Sequence, residues 1–113
     1  MENLLQIISQ KHNLGVIVNT NILRDNENII YKMITTQNEY IIKIYNKDVI
    51  RNNDDLNKRI NQIKASELYL QNGVNVILPV KITDTYFGYE NDYYYLIYPN
   101  YNYQITSPDL FTP

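Results

Sequence analysis

The sequence has no cysteine among its 113 residues, so disulfide bonds, thiolate nucleophiles and cysteine-ligated metal sites are excluded. No window approaches the roughly 20 consecutive apolar residues that a membrane-spanning helix needs. The first stretch, MENLLQIISQKHN, lacks the basic start, long apolar core and cleavage site of a signal peptide. We therefore expect a cytoplasmic protein with no membrane partner.

An excess of charge of one sign is also missing. The 10 basic and 12 acidic residues give a formal net charge of −2, which predicts no general attraction to nucleic acids or anionic membranes. Hydrophobic residues make up 44% and charged residues 19%, as is typical of one small folded domain. The abundance of Asn, Ile and Tyr is typical of AT-rich bacterial coding.

The apolar pattern of the first half predicts one helix and three strands. Leu4, Leu5, Ile7 and Ile8 lie at helical spacing and predict a short helix over residues 2–11, which Asn13 and Gly15 end. Three apolar runs follow, at 16–23, 29–35 and 40–45, separated by the turn-rich segments RDNE (24–27) and TQN (36–38). Such runs favour a meander of three antiparallel strands.

The second half predicts a long helix and a hairpin. Asn53 or Asp54 is a candidate cap and Gly73 a left-handed stop, which predicts a helix over 55–72. VNVILPV (74–80) then runs back, and KITDTYFGYENDYYYLIY (81–98) is a hairpin that turns near 89–92. The predicted fold is α+β: a five-stranded antiparallel sheet with one long packed helix and a short N-terminal helix.

A lysine interrupts the third predicted strand, EYIIKIYN (39–46). If one face of the sheet is wet, Lys43 points outward and is unremarkable, but Ile41 and Tyr45 are then exposed with it. If that face is covered, the ammonium of Lys43 needs a partner, because burying a lone charge costs several kcal/mol.

A carboxylate falls on the apolar stripe of the long helix, where Leu56, Ile60, Ile63 and Leu70 share one side. The remaining position of that stripe holds Glu67. Either Glu67 bends out to water from the margin of the stripe, or it faces Lys43 and the two charges compensate each other's burial. A lysine held in this way is suited to contact phosphate.

Lys43 on the third strand and Glu67 on the next helix match the lysine–glutamate pair of protein kinases. The segments ENIIYKMITTQNEYIIKIYN (27–46), ASELYLQNGVNVILPV (65–80) and YYYLIYPNY (93–101) resemble the N-terminal lobe of aminoglycoside phosphotransferases and choline-kinase-like small-molecule kinases. The resemblance covers residues 14–104 and implies a kinase-like nucleotide-binding lobe over 1–104, followed by an irregular tail over 105–113.

The resemblance implies a set of ATP-binding residues. Lys43 would contact the α- and β-phosphates, and Glu67 would orient it. The turn from Arg24 to Asn28, which includes Asp25 and Asn26, would lie over the phosphates, although it has no glycine to allow a close backbone approach. Ile97 would line the adenine pocket, and the backbone of Tyr98 and Asn100 would hydrogen-bond the adenine edge.

The catalytic half of such a kinase is not found in the sequence. There is no H-x-D-x-x-x-x-N motif and no later metal-binding aspartate, and the single histidine, His12, is expected to be a solvated residue at a helix end. We therefore expect a truncated phosphotransferase, inactive alone, with no catalytic residue and no metal site of its own. Mg²⁺ and a hydroxyl-bearing substrate such as an aminoglycoside or choline would need the second lobe.

A non-catalytic alternative remains open. The chain could be an α+β protein-interaction module or pseudokinase remnant that binds a partner through its tyrosine-rich segment, and self-association is possible. Single-stranded nucleic acid is a poor partner for this segment, because no Lys or Arg follows Lys81.

Overall fold

The computed structural model describes residues 2–82 and 84–99. Their helices and strands alternate as the sequence predicts, and the α+β class with a five-stranded antiparallel sheet is confirmed. The elements are α1 (Glu2–Lys11), β1 (Ile17–Asp25), β2 (Asn28–Thr35), β3 (Glu39–Tyr45), α2 (Asn53–Gln71), β4 (Gly88–Glu90) and β5 (Tyr93–Pro99).

The sheet has the strand order β1-β2-β3-β5-β4, and every neighbouring pair is antiparallel. β3 therefore lies at the centre, and β1 and the three-residue β4 form the edges. In the middle of β3, Lys43 is paired with Ile30 of β2 and with Leu96 of β5. The centre of the sheet is thus built around a lysine.

Both faces of the sheet are covered. On one face, Leu5 and Ile8 of α1 are buried against Ile42 and Ile44 of β3. On the other face, Ile63 of α2 packs in a cluster that includes Ile41 and Tyr45. The alternative in which Ile41, Lys43 and Tyr45 face bulk solvent is therefore wrong, because α2 covers that side of β3.

The predicted chain reversals are largely confirmed by the backbone. Asn13 (φ 54°) and Gly15 (φ 107°) are left-handed after α1, and Gly73 (φ 84°) is left-handed after α2. In the β4–β5 hairpin, Asn91 and Asp92 both have positive φ. Two consecutive left-handed residues are typical of the type I′ turn, whose twist matches that of antiparallel strands.

Two boundaries differ from the predictions. β1 extends to Asp25, so Arg24 belongs to a strand and not to the turn. The segment 74–80 forms no strand, although the N–H of Val80 donates to the carbonyl of Ile97 at 2.6 Å. As a strand residue, Arg24 has its side chain on a defined face of the sheet.

The cap of α2 is also different. Its N-cap is Asn52, whose side-chain oxygen accepts a hydrogen bond from the backbone N–H of Asp55 at 2.9 Å. The predicted caps Asn53 and Asp54 lie inside the first turn. Any of these three polar side chains has the chemistry of a cap, and the direction in which the chain enters the helix selects one of them.

Asn52→Ala is expected to lower the free energy of unfolding by about 1 kcal/mol, because the N–H of Asp55 loses its acceptor. Asn53→Ala is the matched control and should change stability by less than about 0.5 kcal/mol, since its side chain is exposed in the first turn. Urea unfolding of the two variants measures the difference. Equal losses would show that Asn52 is not the cap.

Candidate functional site

Lys43 is completely buried, with 0% of its surface exposed. Its ammonium lies 4.9 Å from the centre of the Tyr45 ring, a distance at which a cation is attracted to the aromatic face. Leu96 and Ile30 flank it on the neighbouring strands. Of the two alternatives for Lys43, the one in which its face of the sheet is covered is therefore the one observed.

Burial and two positively charged side chains lower the pKa of Lys43. Burial, then the charge of Arg59 and then that of Arg24 lower the pKa of Lys43 from 10.5 to about 8. Each of these effects disfavours the charged form of Lys43.

Arg59 reaches this region from α2. Its guanidinium carbon lies 5.6 Å from the centre of the Tyr45 ring, so Arg59 and Lys43 share one aromatic neighbour. Arg59 was missed by the sequence analysis. Its spacing of three residues from Leu56 and four from Ile63 places it beside the apolar stripe, which is the signal that could have found it.

Arg24 reaches the region from β1. Arg24 is paired with Ile30, and Ile30 is paired with Lys43, so the three residues form one row across three strands. Directly paired residues point to the same face of a sheet. Arg24 therefore stands on the same side as Lys43, although its place in the sequence predicted only the beginning of a turn.

Two buried polar atoms lie in the neighbouring row. Asn28 of β2 is paired with Tyr45 of β3, and the atoms Asn28 Oδ1 and Tyr45 Oη have no hydrogen-bond partner among the described residues. Burial raises the pKa of the Tyr45 phenol, and the charge of Arg59 opposes this. An unpaired buried polar group costs about 1–3 kcal/mol, so a ligand that supplied partners here would gain that energy.

Glu67 does not approach Lys43 as an ion pair. The Glu67 carboxylate is half-buried and hydrogen-bonded to Tyr86, whose pKa is raised by burial, by that bond and by the Glu67 charge. The predicted compensation of Lys43 by Glu67 is therefore wrong. Arg59 stands over the ring beside Lys43 instead, and Glu67 is eight residues further on, about 12 Å along the helix.

The apolar stripe of α2 ends earlier than predicted, which accounts for the position of Glu67. Ile63 is buried, but Leu70 is 46% exposed. The last turns of the helix thus extend past the sheet, and Glu67 lies at the margin of the covered region.

The three residues predicted to lie over the phosphates, Asp25, Asn26 and Asn28, do not share one face of the sheet. Asp25 is exposed and paired with Ile29, which packs on the α1 side, so Asp25 does not share the face of Lys43. Asn26 is exposed in the turn, and its carbonyl accepts a hydrogen bond from the Asn46 amide at 2.8 Å. Asn28 alone of the three has its side chain on the Lys43 face.

Ile97 and Tyr98, which were predicted to contact adenine, lie on opposite faces of the sheet. Ile97 is buried in the cluster on the α1 face and is paired with Ile42, so it is on the opposite side of the sheet from Lys43. The neighbouring Tyr98 is buried on the Lys43 face. Asn100 lies outside the described residues, as does the predicted boundary at 104.

A small cavity adjoins Tyr98. It has a volume of about 50 Å³ and lies between α2 and residues 76–79. Pockets for small molecules are commonly roughly 300–1,000 Å³. A nucleobase would enter here only if the segment 76–79 moved.

In residues 2–82 and 84–99, no three His, Asp or Glu side chains are grouped as metal ligands. Neither helix of this part combines the length and apolar character needed to cross a membrane. Searches against models of protein families and against curated proteins found no match to this chain.

Proposed function

We propose that this chain is the nucleotide-binding lobe of an ATP-dependent phosphotransferase that acts on a hydroxyl group of a small molecule. The observation that carries the proposal is the buried Lys43 at the centre of the sheet, with Arg24 and Arg59 acting on the same place. A buried cation is stabilised by the polar and charged groups that surround it, and the phosphates of a bound nucleotide would add to these. Lysine is a common ligand of phosphate, which it binds as a point charge.

The fold is compatible with this role. In the aminoglycoside phosphotransferase and choline-kinase-like family that the sequence resembles, the phosphate-binding lysine lies on the third strand of such a sheet. In the proposed function Lys43 contacts the α- and β-phosphates of ATP, Asn28 lies nearby and Tyr98 lies on the base side. Glu67 and Ile97 have no direct part in this site, because one is bonded to Tyr86 and the other is on the α1 face.

Phosphoryl transfer itself requires groups that these 113 residues do not supply. A catalytic aspartate must position the acceptor hydroxyl, and acidic side chains must hold Mg²⁺. We therefore propose that the chain binds the nucleotide in the cytoplasm and transfers no phosphate on its own. The identity of the acceptor, an aminoglycoside, choline or a related alcohol, would be set by residues of a catalytic lobe.

A titration with Mg-ATP tests the nucleotide site. At ten times the Kd, ligand binding should stabilise the protein by about 1.4 kcal/mol, which for a domain of this size raises the melting temperature by about 4–8 °C. Lys43→Met should abolish this shift, because it removes the cation but keeps an apolar chain of similar length. Differential scanning fluorimetry provides the measurement.

Lys58→Met is the matched control, since Lys58 is exposed on the same helix as Arg59. It removes one positive charge without touching the buried site and should leave the shift unchanged. Equal shifts in wild type and Lys43→Met would contradict a nucleotide site at Lys43.

A second candidate function, a non-catalytic protein-interaction module, is favoured by the edge strand β1. Val18 and Ile22 are 66% and 57% exposed there, and no charged residue occurs between them. Exposed apolar edge strands readily pair with another chain. The tyrosines contribute less than expected to such a surface, because Tyr69 and Tyr89 are the exposed ones among the described tyrosines. Absence of any shift with nucleotide would favour this second function.

A further inference from the structure

A cavity of about 440 Å³ opens between the end of β3, the start of α2 and the β4–β5 hairpin. Its lining comes from the ranges 47–53 and 89–94, and Lys43 does not border it. Pockets for small molecules are commonly roughly 300–1,000 Å³. The cavity is therefore large enough to hold a small molecule at a place separate from Lys43.

Two tyrosines form an aromatic wall of this cavity. Tyr89 of β4 is paired with Tyr94 of β5, and their ring centres are 4.6 Å apart with 54° between the ring planes. Tyr89 is 50% exposed, and the buried Ile50 adds an apolar side chain to the lining. Such rings offer a ligand a rigid apolar face with a hydroxyl at its edge.

The charges of the lining are compensated in pairs. Lys47 Nζ lies 3.9 Å from Asp92 Oδ2, and Arg51 Nε lies 3.0 Å from Asp55 Oδ2. Asp54 and Asp55 in the first turn of α2 also offset the positive end of the helix dipole. The cavity is therefore better suited to a neutral ligand than to an anion.

Hydrogen-bond donors and acceptors are mixed along the lining. The amide oxygen of Asn52 accepts the N–H of Asp55 at 2.9 Å, and the amide nitrogen of Asn52 still carries two donors. Asn53 is exposed and offers both a donor and an acceptor. The Asp92 carboxylate accepts from the Tyr89 hydroxyl at 3.2 Å and has further lone pairs. Such a mixture matches hydroxyl groups, each of which both donates and accepts.

We propose that this cavity binds a neutral saccharide. One pyranose ring packs its C–H face on Tyr89, and its hydroxyl groups bond to Asn53 and Asp92. The proposal needs the three features together: an aromatic face, compensated charges, and donors mixed with acceptors. It goes beyond the proposed nucleotide function and does not depend on it, because Lys43 is not part of the lining.

A heteronuclear NMR titration with cellobiose, sorbitol and sodium phosphate at equal ionic strength tests the site. Cellobiose should shift the backbone amide signals of residues 47–53 and 89–94. Sorbitol carries hydroxyl groups without a ring and should bind at least about tenfold more weakly, because it has no rigid face to pack on an aromatic side chain. Phosphate should also bind more weakly than cellobiose.

Variants of Tyr89 make the result specific to the aromatic wall. Tyr89→Ala should weaken cellobiose by about tenfold, since the packing face is lost. Tyr89→Phe keeps the ring and should bind more tightly than Tyr89→Ala. Tyr69→Ala is the matched control, because Tyr69 is 56% exposed on α2 and does not line the cavity. It should keep the wild-type affinity.

Asn53→Ala provides a test that does not alter the hairpin. It removes one hydrogen-bonding side chain from the lining and should weaken cellobiose by about threefold or more. Circular dichroism confirms that each variant is folded. If Tyr89→Ala is not folded, Tyr89→Phe and Asn53→Ala still decide the question, because wild-type affinity in both would contradict the proposal.

The outcomes are separate from those for the nucleotide site. If cellobiose shifts none of these amide signals, or if it binds Tyr89→Ala as tightly as wild type, the saccharide site is wrong. If phosphate binds at these residues more tightly than cellobiose, the cavity is an anion site and the proposal is also wrong. Neither result changes the stabilisation by Mg-ATP that Lys43→Met is expected to abolish.

Discussion

Between pH 8 and pH 10 the stability of the wild-type protein is expected to rise by about 2 kcal/mol relative to that of Lys43→Met. The pKa of Lys43 is lowered from 10.5 to about 8 by burial and by the charges of Arg59 and Arg24. Over this pH range the folded protein has therefore released the proton that the unfolded chain still holds. Stability rises with pH wherever the unfolded state binds more protons.

The sign follows from the depressed pKa of a basic group. Below pH 8 both states are protonated at Lys43, and the folded state carries the full cost of the buried charge. The destabilisation by the buried charge declines as Lys43 of the folded state loses its proton. It is gone above pH 10.5, where Lys43 of the unfolded chain also becomes neutral. Urea unfolding at several pH values measures the change.

Tyrosine ionisation also changes the stability of the protein at the high end of this pH range. Burial raises the pKa of Tyr95 to about 12 and also raises those of Tyr45 and Tyr98. Their ionisation in the unfolded chain begins to lower stability at about pH 9, within the same pH range. This contribution is common to wild type and Lys43→Met, so the difference between the two curves isolates Lys43. Parallel curves would show that Lys43 is not the perturbed group, and Lys58→Met should follow the wild type.

Gly88→Ala is expected to lower the free energy of unfolding by about 1–3 kcal/mol. Gly88 in β4 is paired with Tyr95 in β5, and a Cβ at position 88 would overlap the Tyr95 ring and hydroxyl. Tyr95 is fully buried, and its hydroxyl oxygen lies 2.6 Å from Nε2 of His12. The ring therefore has little room to move away from an added methyl group.

A double-mutant cycle attributes this loss to the overlap. In a Tyr95→Leu background, which removes the far end of the ring, Gly88→Ala should cost less than half of what it costs in the wild type. Chemical denaturation of the four proteins measures the coupling. An equal cost in both backgrounds would place the effect in the backbone of β4 and not in contact with Tyr95.

The contact of Tyr95 also corrects the expectation for His12. The imidazole is half-buried and in contact with Tyr95 in the tertiary structure, instead of being solvated at a helix end. Burial is the main cause that lowers the pKa of His12. A contact across 83 residues has no local signal in the sequence.

Periodicity was sufficient for most of the elements and favoured the burial of Lys43, although it left an exposed Lys43 open. Helical spacing predicted α1 and α2, and apolar runs predicted the strands, because these patterns depend on backbone geometry repeated over a few residues. The run around Lys43 is apolar on both of its sides, and such a run is favourable only when both faces of the strand are covered. The lysine within it is therefore buried with its neighbours.

Periodicity did not determine which side chains lie next to Lys43. Whether Arg59 or Glu67 stands beside it depends on how far α2 slides along the sheet, and the two residues differ by about two helical turns. In the same way, Ile97 and Tyr98 differ by one position on β5 and therefore point to opposite faces. The helical stripe and the strand alternation are compatible with either choice.

Local pattern thus accounts for which segments are helices or strands and for a cation inside the sheet. The identity of the groups around that cation came from packing between α2 and the strands. The reason is that a repeated apolar pattern permits several alignments of helix and sheet, and the fit of particular side chains such as Ile63 and Tyr45 selects one of them.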